Sequence, residues 1–195
     1  MISALVMAAG ASLRLGRPKQ LLPWGAGTLL SASTSAFLEA GLDAVVVVLG
    51  HEAARIAREA GLPQDERLRC VVNDRWAEGM AGSLRCGLDA AVGADAVLVG
   101  LADQPELPVS LIRAVCAAWS PGVPLVVPVH PHGTGHPVLF ARSLFAELRA
   151  LCGDVGGREI VLRHRALAAT VAANPVPDID TEDDYRAALA RHLAR

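Results

Sequence analysis

Residues 2–19 decide the fold class, and they read Ile-Ser-Ala-Leu-Val-Met-Ala-Ala-Gly-Ala-Ser-Leu-Arg-Leu-Gly-Arg-Pro-Lys. The stretch opens with a mostly apolar run at 2–7 and passes into Ala-Ala-Gly at 8–10. A short apolar run that ends at a glycine predicts a buried strand followed by a loop. A second run, at 44–49, contains four consecutive valines without polar alternation. It predicts a strand that is buried on both faces.

Helical and strand patterns alternate along the rest of the chain. Helices are predicted at 28–40, 52–60, 83–91, 108–119, 143–151 and 158–164, and a final helix is capped by Thr181 with Asp184 in a capping box. Further strands are predicted at 69–72, 96–101, 124–129 and 137–140, with an apolar segment at 170–173. This alternation implies βαβ crossovers. We expect a Rossmann-like α/β fold, a mostly parallel sheet with helices on both faces, as one domain over residues 1–195.

Composition excludes several classes of partner. Hydrophobic residues make up 52% of the chain but aromatic residues only 4%, so aromatic stacking is not expected to carry the function. The formal net charge is −2, and no stripe of Lys and Arg interleaved with aromatics is present. Nucleic-acid binding is therefore disfavoured.

The cysteines and the N-terminus indicate the compartment. The four cysteines are widely spaced without a C-x-x-C pair, at Cys70, Cys86, Cys116 and Cys152. They predict small buried residues in a reducing compartment rather than disulfides. The N-terminus lacks a basic segment, and its apolar run is far shorter than a membrane span. We expect a cytoplasmic protein without a membrane segment.

Residues 8–19, the basic loop, combine small residues with positive charge. Arg14, Arg17 and Lys19 lie in it, and no acidic residue occurs before Glu39. Small residues let a backbone approach a phosphate chain and turn its N–H groups toward it. The pattern predicts a phosphate-binding loop. The alternative is an ordinary turn whose basic residues are solvated.

The spacing of the basic loop excludes two common nucleotide motifs. Gly10 and Gly16 are separated by five residues and Lys19 precedes Gln20, so the Walker A pattern is absent. The G-x-G-x-x-G pattern of dinucleotide-binding folds is also absent. ATPase and dehydrogenase functions are both disfavoured. Ligands of parallel sheets lie beyond the carboxyl ends of the strands, so residues 8–19, 73–83 and 102–105 are predicted to line one cleft.

Six segments together resemble one known family. They are AAGASLRLGRPK at 8–19, RPKQLLP at 17–23, Asn73 with GMAGSLRCG at 79–87, LADQP at 101–105, GHPVLF at 135–140 and DIDTED at 178–183. In this order, and over nearly the whole chain, they are similar to the MobA-like nucleotidyltransferases, and within these to the molybdenum cofactor cytidylyltransferases. The resemblance implies the fold of the nucleotide-diphospho-sugar transferase type.

The resemblance also implies an activity. Members transfer a nucleotide from an NTP to a phosphate with release of pyrophosphate, here to the terminal phosphate of molybdopterin. Ala8-Ala9-Gly10 resembles the cytidylyl rather than the guanylyl members, so the expected nucleotide is CTP. Open alternatives are GTP, a sugar or polyol phosphate acceptor, and a non-catalytic module that binds nucleotide or cofactor. Handover of the product to a molybdoenzyme or its chaperone is a further expectation.

Particular residues carry the implied triphosphate and metal sites. The resemblance assigns the triphosphate to Arg14 and Lys19 with the loop positions Ala8, Ala9, Gly10 and Ser12. It assigns Mg²⁺ to Asp103, since Mg²⁺ prefers oxygen ligands; an isolated carboxylate after a strand can also cap a turn. Asp180 lies in an acidic cluster, and it is either a second metal ligand or a solvated acid at a helix N-terminus.

Other residues are assigned to the base and the acceptor. Gly82 and Ser83 are implied at the base or ribose, with an ordinary helix N-cap as the alternative for Ser83. Asn73 is assigned to the base or to a turn. His136, in the G-H-P segment, is implied on the acceptor side. A zinc site is the alternative for the three histidines within seven residues, His130, His132 and His136, although no nearby cysteine completes a ligand set.

Overall fold

Ten strands and seven α-helices alternate along residues 1–194, the part of the chain that the computed structural model describes. The strands are β1 (Ile2–Ala8), β2 (Pro23–Trp24), β3 (Gly27–Thr28), β4 (Ala44–Leu49), β5 (Leu68–Val72), β6 (Ala96–Leu101), β7 (Leu125–His130), β8 (Gly133–Thr134), β9 (Val138–Ala141) and β10 (Ala169–Ala172). The helices are α1 (Leu29–Ala40), α2 (Ala53–Glu59), α3 (Met80–Ala90), α4 (Val109–Ala117), α5 (Phe145–Ala150), α6 (Arg158–His164) and α7 (Glu182–Leu193).

The main sheet has eight strands in the order β10-β7-β9-β6-β1-β4-β5, with β8 paired to β7. β1 runs parallel to β4 and β6, and β4 runs parallel to β5. β9 runs antiparallel to β6 and β7, which the sequence did not predict. The predicted α/β fold with a mostly parallel sheet is confirmed.

Helices cover both faces of this sheet. One core contains Phe37 of α1, Ile56 of α2 and Ile112 of α4. The opposite core is formed by α3, α5 and α6, through residues that include Leu84, Leu148 and Ile160. The valines of β4 alternate between the two cores because successive side chains of a strand point to opposite faces. The predicted burial of this strand on both faces is confirmed.

Local capping signals set three helix boundaries. Thr28 accepts a hydrogen bond from Ser31 N in a capping box at the start of α1, and Gly41, with φ 86°, ends the helix in the left-handed conformation. Thr181 and Asp184 form the predicted capping box of α7. In all three cases the signal lies within one or two turns of the boundary that it fixes.

The start of α3 differs from its prediction. The helix begins at Met80 rather than at residue 83, so Ser83 is not its N-cap. Met80 N donates to Asp154 Oδ1 and Ala81 N donates to Gly153 O, so a distant loop caps the helix. Gly79, at φ 110°, makes the preceding turn. Gly82 and Ser83 therefore both lie within α3.

The cysteines meet one of their two predictions. All four thiols are free, as predicted, but their predicted burial is wrong: Cys70 and Cys152 are exposed and the other two are half-buried. Cys70 lies on β5, an edge strand of the sheet, where part of the strand stays open to solvent. Within residues 1–194, no helix is both long and apolar enough to cross a membrane.

Candidate functional site

A cleft of about 220 Å³ lies beyond the carboxyl ends of β1 and β6. It brings together the three segments that the sequence predicted to meet, 8–19, 73–83 and 102–105. The lining residues are Met7, Ala9, Gly10, Lys19, Trp76, Gly79, Met80, Ser83, Leu101, Asp103 and Asp154. We call the side with Lys19, Asp103 and the adjacent Asp180 the charged end, and the side with Trp76, Met80 and Ser83 the uncharged end. Asp154, which also lines the cleft, accepts a hydrogen bond from Met80 N at the start of α3.

Gln20 holds the basic loop in shape. Its buried amide donates from Nε2 to the carbonyl oxygens of Ala8, at 2.8 Å, and of Gly10, at 3.0 Å. Because the C=O and N–H of a trans peptide point in opposite directions, these bonds also fix the N–H groups of Ala9 and Ala11. Ser12, at φ 55°, accepts a hydrogen bond from Lys19 N. The loop is thus shaped before any ligand is bound.

Lys19 lies between two carboxylates at the charged end. Its Nζ is 2.5 Å from Asp103 Oδ2 and 2.9 Å from Asp180 Oδ1, and its side chain is 17% exposed. Burial opposes the charge most strongly, but the two carboxylates outweigh it and raise the pKa of Lys19. Burial also opposes the charge of Asp180, yet Lys19 and Arg14 hold the pKa of Asp180 below its ordinary value. Lys19 and Asp180 are therefore both charged at neutral pH.

The other two cations of the basic loop also have acidic partners. Arg14 pairs with Asp180 at 2.8 Å, and Arg17 pairs with Glu182 at 2.9 Å. The loop lacks acids nearby in sequence, as noted, but the fold supplies them from a segment more than 160 residues away. Its positive charge is therefore neutralised until a ligand competes for it.

Residues 176–185, the C-terminal strap, are fixed to both sides of the charged end. Gln104 Nε2 donates to Val176 O and to Asp178 Oδ1, and Ile179 N donates to Asp103 O. Tyr185 Oη donates to Pro23 O in the hairpin that follows the basic loop. These bonds place Asp180 beside Lys19, while Asp184 makes the helix cap. The role of Asp180 as a second metal ligand stays a prediction.

The uncharged end is formed by close packing. Asn73 Nδ2 donates to Ser83 Oγ at 3.0 Å, so these two predicted base-binding residues lie together and Asn73 also supports the turn through Arg75 N. Gly82 adjoins Asn73, which a Cβ at position 82 would meet at 3.3 Å. A Cβ at Gly79 would collide with the backbone of Gly153. This end has little freedom to move.

His136 lies near the charged end. Its Nδ1 is 3.4 Å from Val99 O, and burial lowers the pKa of the imidazole against the opposing charges of Asp178 and Asp103. His130 is occupied locally, since its Nδ1 accepts from His132 N. Over the described residues, no group of three or more His, Cys, Asp or Glu side chains is placed to hold a metal ion. The three-histidine zinc alternative therefore has no ligand set in this part of the chain.

Sequence reasoning missed three residues of this cleft region. Gln20 and Gln104 lie in quoted motif segments, directly after Lys19 and Asp103, so their proximity to those residues was a signal. Trp76 was not considered, because the low aromatic content argued against aromatic stacking. One feature of Lys19 was overlooked: it is the single lysine among the 18 Lys and Arg residues of the sequence.

Comparison with known proteins assigns the chain to a family. Residues 4–169 match the model of the MobA-like NTP transferase domain. The chain belongs to this family. It is therefore a nucleotidyltransferase by family, and the resemblance predicted from the six sequence segments is confirmed.

Relatives differ in the activity that their names describe. The chain is 38% identical to nicotine blue oxidoreductase of Paenarthrobacter nicotinovorans, over 84% of this chain and 82% of that protein. It is 24% identical to the molybdenum cofactor cytidylyltransferase of Escherichia coli K12, over 98% and 97% of the two chains. The MobA-like family is thus shared by relatives that are named for different reactions.

A solved structure places a metal in a similar protein. Rv0371c of Mycobacterium tuberculosis H37Rv, crystallised in complex with manganese, has a TM-score of 0.80 and 33% identity, covering 97% of this chain and 98% of its own.

The matched family model ends at residue 169, so the C-terminal strap with Asp180 lies beyond it. In the present protein, residues outside the matched domain therefore supply part of the charged end.

Proposed function

We propose that this protein transfers CMP from CTP to the terminal phosphate of molybdopterin and releases pyrophosphate. The observation that carries the proposal is the position of Lys19 Nζ between Asp103 and Asp180, next to a preshaped glycine loop at the carboxyl edge of the sheet. Triphosphates bind where N–H groups and cations converge, and ligands of such sheets bind at this edge.

The chain's own residues position and neutralise the triphosphate. Lys19, Arg14 and the N–H groups of the loop at Ala8–Ser12 stabilise its negative charge after they exchange their carboxylate partners. An acceptor phosphate oxygen then forms a bond to the α-phosphorus while the bond to the pyrophosphate oxygen breaks. This reaction needs no protein nucleophile, because positioning and charge stabilisation supply most of the catalysis.

Asp103 and Asp180 fit a divalent cation. Asp103 Oδ1 is buried and has no hydrogen-bond partner within the described residues, and carboxylate oxygens are the ligands that Mg²⁺ prefers. One or two protein carboxylates with substrate phosphates are a usual Mg²⁺ site, so the lack of a larger acidic group over residues 1–194 agrees with it. Held by these carboxylates, Mg²⁺ would supply positive charge that stabilises the phosphates of the nucleotide.

The choice of CTP and of molybdopterin rests on similarity. Ala8-Ala9-Gly10 resembles the cytidylyl members, and a relative of nearly the same length is named molybdenum cofactor cytidylyltransferase. His136 lies near Asp103 and is the candidate for the acceptor side. Transfer of the product to a molybdoenzyme or its chaperone would follow the reaction.

Pyrophosphate release tests the proposal. The purified chain is incubated with molybdopterin and each of CTP, GTP, ATP and UTP, with and without Mg²⁺. We expect release with CTP that depends on both Mg²⁺ and acceptor. Release with GTP alone would overturn the choice of nucleotide, release only with a sugar or polyol phosphate would overturn the acceptor, and tight binding of CTP without turnover would favour a non-catalytic module.

A second function, oxidoreduction, is favoured by one observation. The relative that is 38% identical over 84% of this chain is named nicotine blue oxidoreductase. The same preparation is mixed with nicotine blue and a reduced nicotinamide nucleotide, and the absorbance of the dye is followed. Reduction of the dye together with an absence of pyrophosphate release would replace cytidylyl transfer by oxidoreduction.

A further inference from the structure

Trp76 occupies an unusual position at the uncharged end of the cleft. It lies in the turn between β5 and α3, it is half-buried, and it lines the same cleft as Lys19 and Asp103. The sequence holds only three tryptophans, and Trp24, by contrast, is buried in a separate apolar cluster. An aromatic ring on the wall of a cleft is a common ligand contact.

The backbone is built to admit this ring. A Cβ at Gly50 would meet Trp76 Cβ at 2.5 Å and Cγ at 2.8 Å, so only glycine allows the present packing. The ring of His51 meets the indole at 68° with centroids 4.9 Å apart, and so does not lie parallel on it. Gly50 and His51 therefore fix the position of Trp76 without covering it as a stack.

The neighbours of Trp76 suit the ring of a nucleotide rather than its phosphates. Met80, a soft apolar side chain that is 41% exposed, lines the same part of the cleft. The hydrogen-bonded pair of Asn73 and Ser83 lies next to it, and Lys19 lies at the other end. The carboxylate of Asp154 also lies beside Met80, where it accepts from Met80 N. An exposed apolar wall beside a charged end matches the two halves of a nucleotide.

We propose that Trp76 is the stacking wall for the nucleobase, with Met80 extending it. The inference rests on the proposed nucleotidyl transfer and deepens it, because it names the side chain that holds the ring of the nucleotide. Base–aromatic stacking accepts every base, so Trp76 contributes affinity rather than the choice of CTP over GTP.

Intrinsic fluorescence and binding of two ligands test this role. CTP with Mg²⁺ is titrated into the wild-type protein, Trp76→Phe and the control Trp119→Phe, and inorganic tripolyphosphate serves as a ligand without a base. Trp119 follows α4 and lies away from the cleft. Burial and the nearby charge of Asp43 raise the pKa of the Cys116 thiol in the same helix, and Asp43 accepts from Ile2 N at the edge of the sheet opposite the cleft. We expect CTP to quench the wild type and Trp119→Phe but not Trp76→Phe, and tripolyphosphate to quench none of them.

Affinity separates stacking from a structural role. Trp76→Ala, and Trp76→Leu if the alanine variant is unstable, should raise the Kd for CTP about tenfold. The Kd for tripolyphosphate should stay unchanged, and Trp76→Phe should bind CTP almost as the wild type does. Equal losses for both ligands, or an unchanged Kd for CTP, would overturn the inference while proposed nucleotidyl transfer stands. Failure of the wild type to bind any nucleotide by calorimetry would instead overturn the proposed function and the inference with it.

Discussion

The charged and the uncharged end of the cleft are held by opposite means. At the charged end, Lys19 and Arg14 are held by ion pairs with Asp180, and side-chain exposure ranges from 17% at Lys19 to 68% at Arg14. At the uncharged end, Trp76 packs directly on Gly50, where no larger residue fits. Ion pairs can exchange partners when a ligand binds, whereas a side chain that is packed directly on backbone is fixed in place.

Under the proposed function, this difference gives the two ends separate roles. A triphosphate has to displace carboxylates from Lys19 and Arg14, so binding there exchanges one set of charge pairs for another. A base at Trp76 meets a surface that is already shaped, so little ordering is required. Substitutions at the charged end should therefore change turnover and its salt dependence, and those at the uncharged end should change stability and ring binding.

The largest effect is expected for Lys19→Ala. Loss of the ammonium group removes a cation that contacts both Asp103 and Asp180. We expect pyrophosphate release to fall by about 10²–10³-fold, the usual cost of losing one preorganised charge-stabilising group. Thermal unfolding should stay cooperative, because the site lies outside the two cores. Undiminished turnover would contradict the assignment.

Lys19 also permits a direct check in the wild type. It is the only lysine of the chain, so reductive methylation can modify only Lys19 and the N-terminal amine. CTP with Mg²⁺ should protect Lys19 and leave the N-terminal amine, which pairs with Asp95, as an internal control in the same mass spectrum. Equal modification with and without CTP would show that the triphosphate does not bind Lys19.

Gly50→Ala should produce the next largest effect, and at the uncharged end. Its Cβ would lie 2.5 Å from Trp76 Cβ and 2.7 Å from Ala9 O, so we expect a loss of about 1–3 kcal/mol in the free energy of unfolding by denaturant titration. Gly10→Ala is the matched control, because a Cβ there meets nothing within 4 Å. Gly10→Ala should keep its stability but bind CTP less tightly, since Gly10 lines the cleft. Equal stability of the two variants would show that the packing of Trp76 is not tight.

The elements that were predicted correctly carry their signals within a few residues. The bounds of β4 follow from an uninterrupted apolar run, and those of α1 follow from Thr28 at its start and Gly41 at its end. The start of α3 was missed because Gly153 and Asp154, more than 70 residues away, cap it. Local sequence does not record such a contact.

The prediction of the site likewise succeeded where the signal was local and failed where it depended on residues far apart in sequence. Lys19 and Asp103 were found because each lies in a motif that has its own residue pattern, and the edge of the sheet then brought the motifs together as expected. The pairing of Lys19 with Asp180 spans 161 positions in sequence, and so left the role of Asp180 open. Trp76 could not be singled out from composition, because its importance depends on the missing Cβ of Gly50.

The smallest effect is expected for Arg14→Ala, and its dependence on salt is the informative part. Arg14 is 68% exposed, and exposed ion pairs add little to stability, so unfolding should be almost unchanged. At low ionic strength the KM for CTP should rise about threefold to tenfold, and the difference from the wild type should shrink as salt screens the exposed charge. Arg17→Ala is the control, because Arg17 pairs with Glu182 and not with a carboxylate of the charged end. Equal shifts in KM for both variants would mean that the triphosphate senses the summed charge of the basic loop rather than the cation placed beside Asp180.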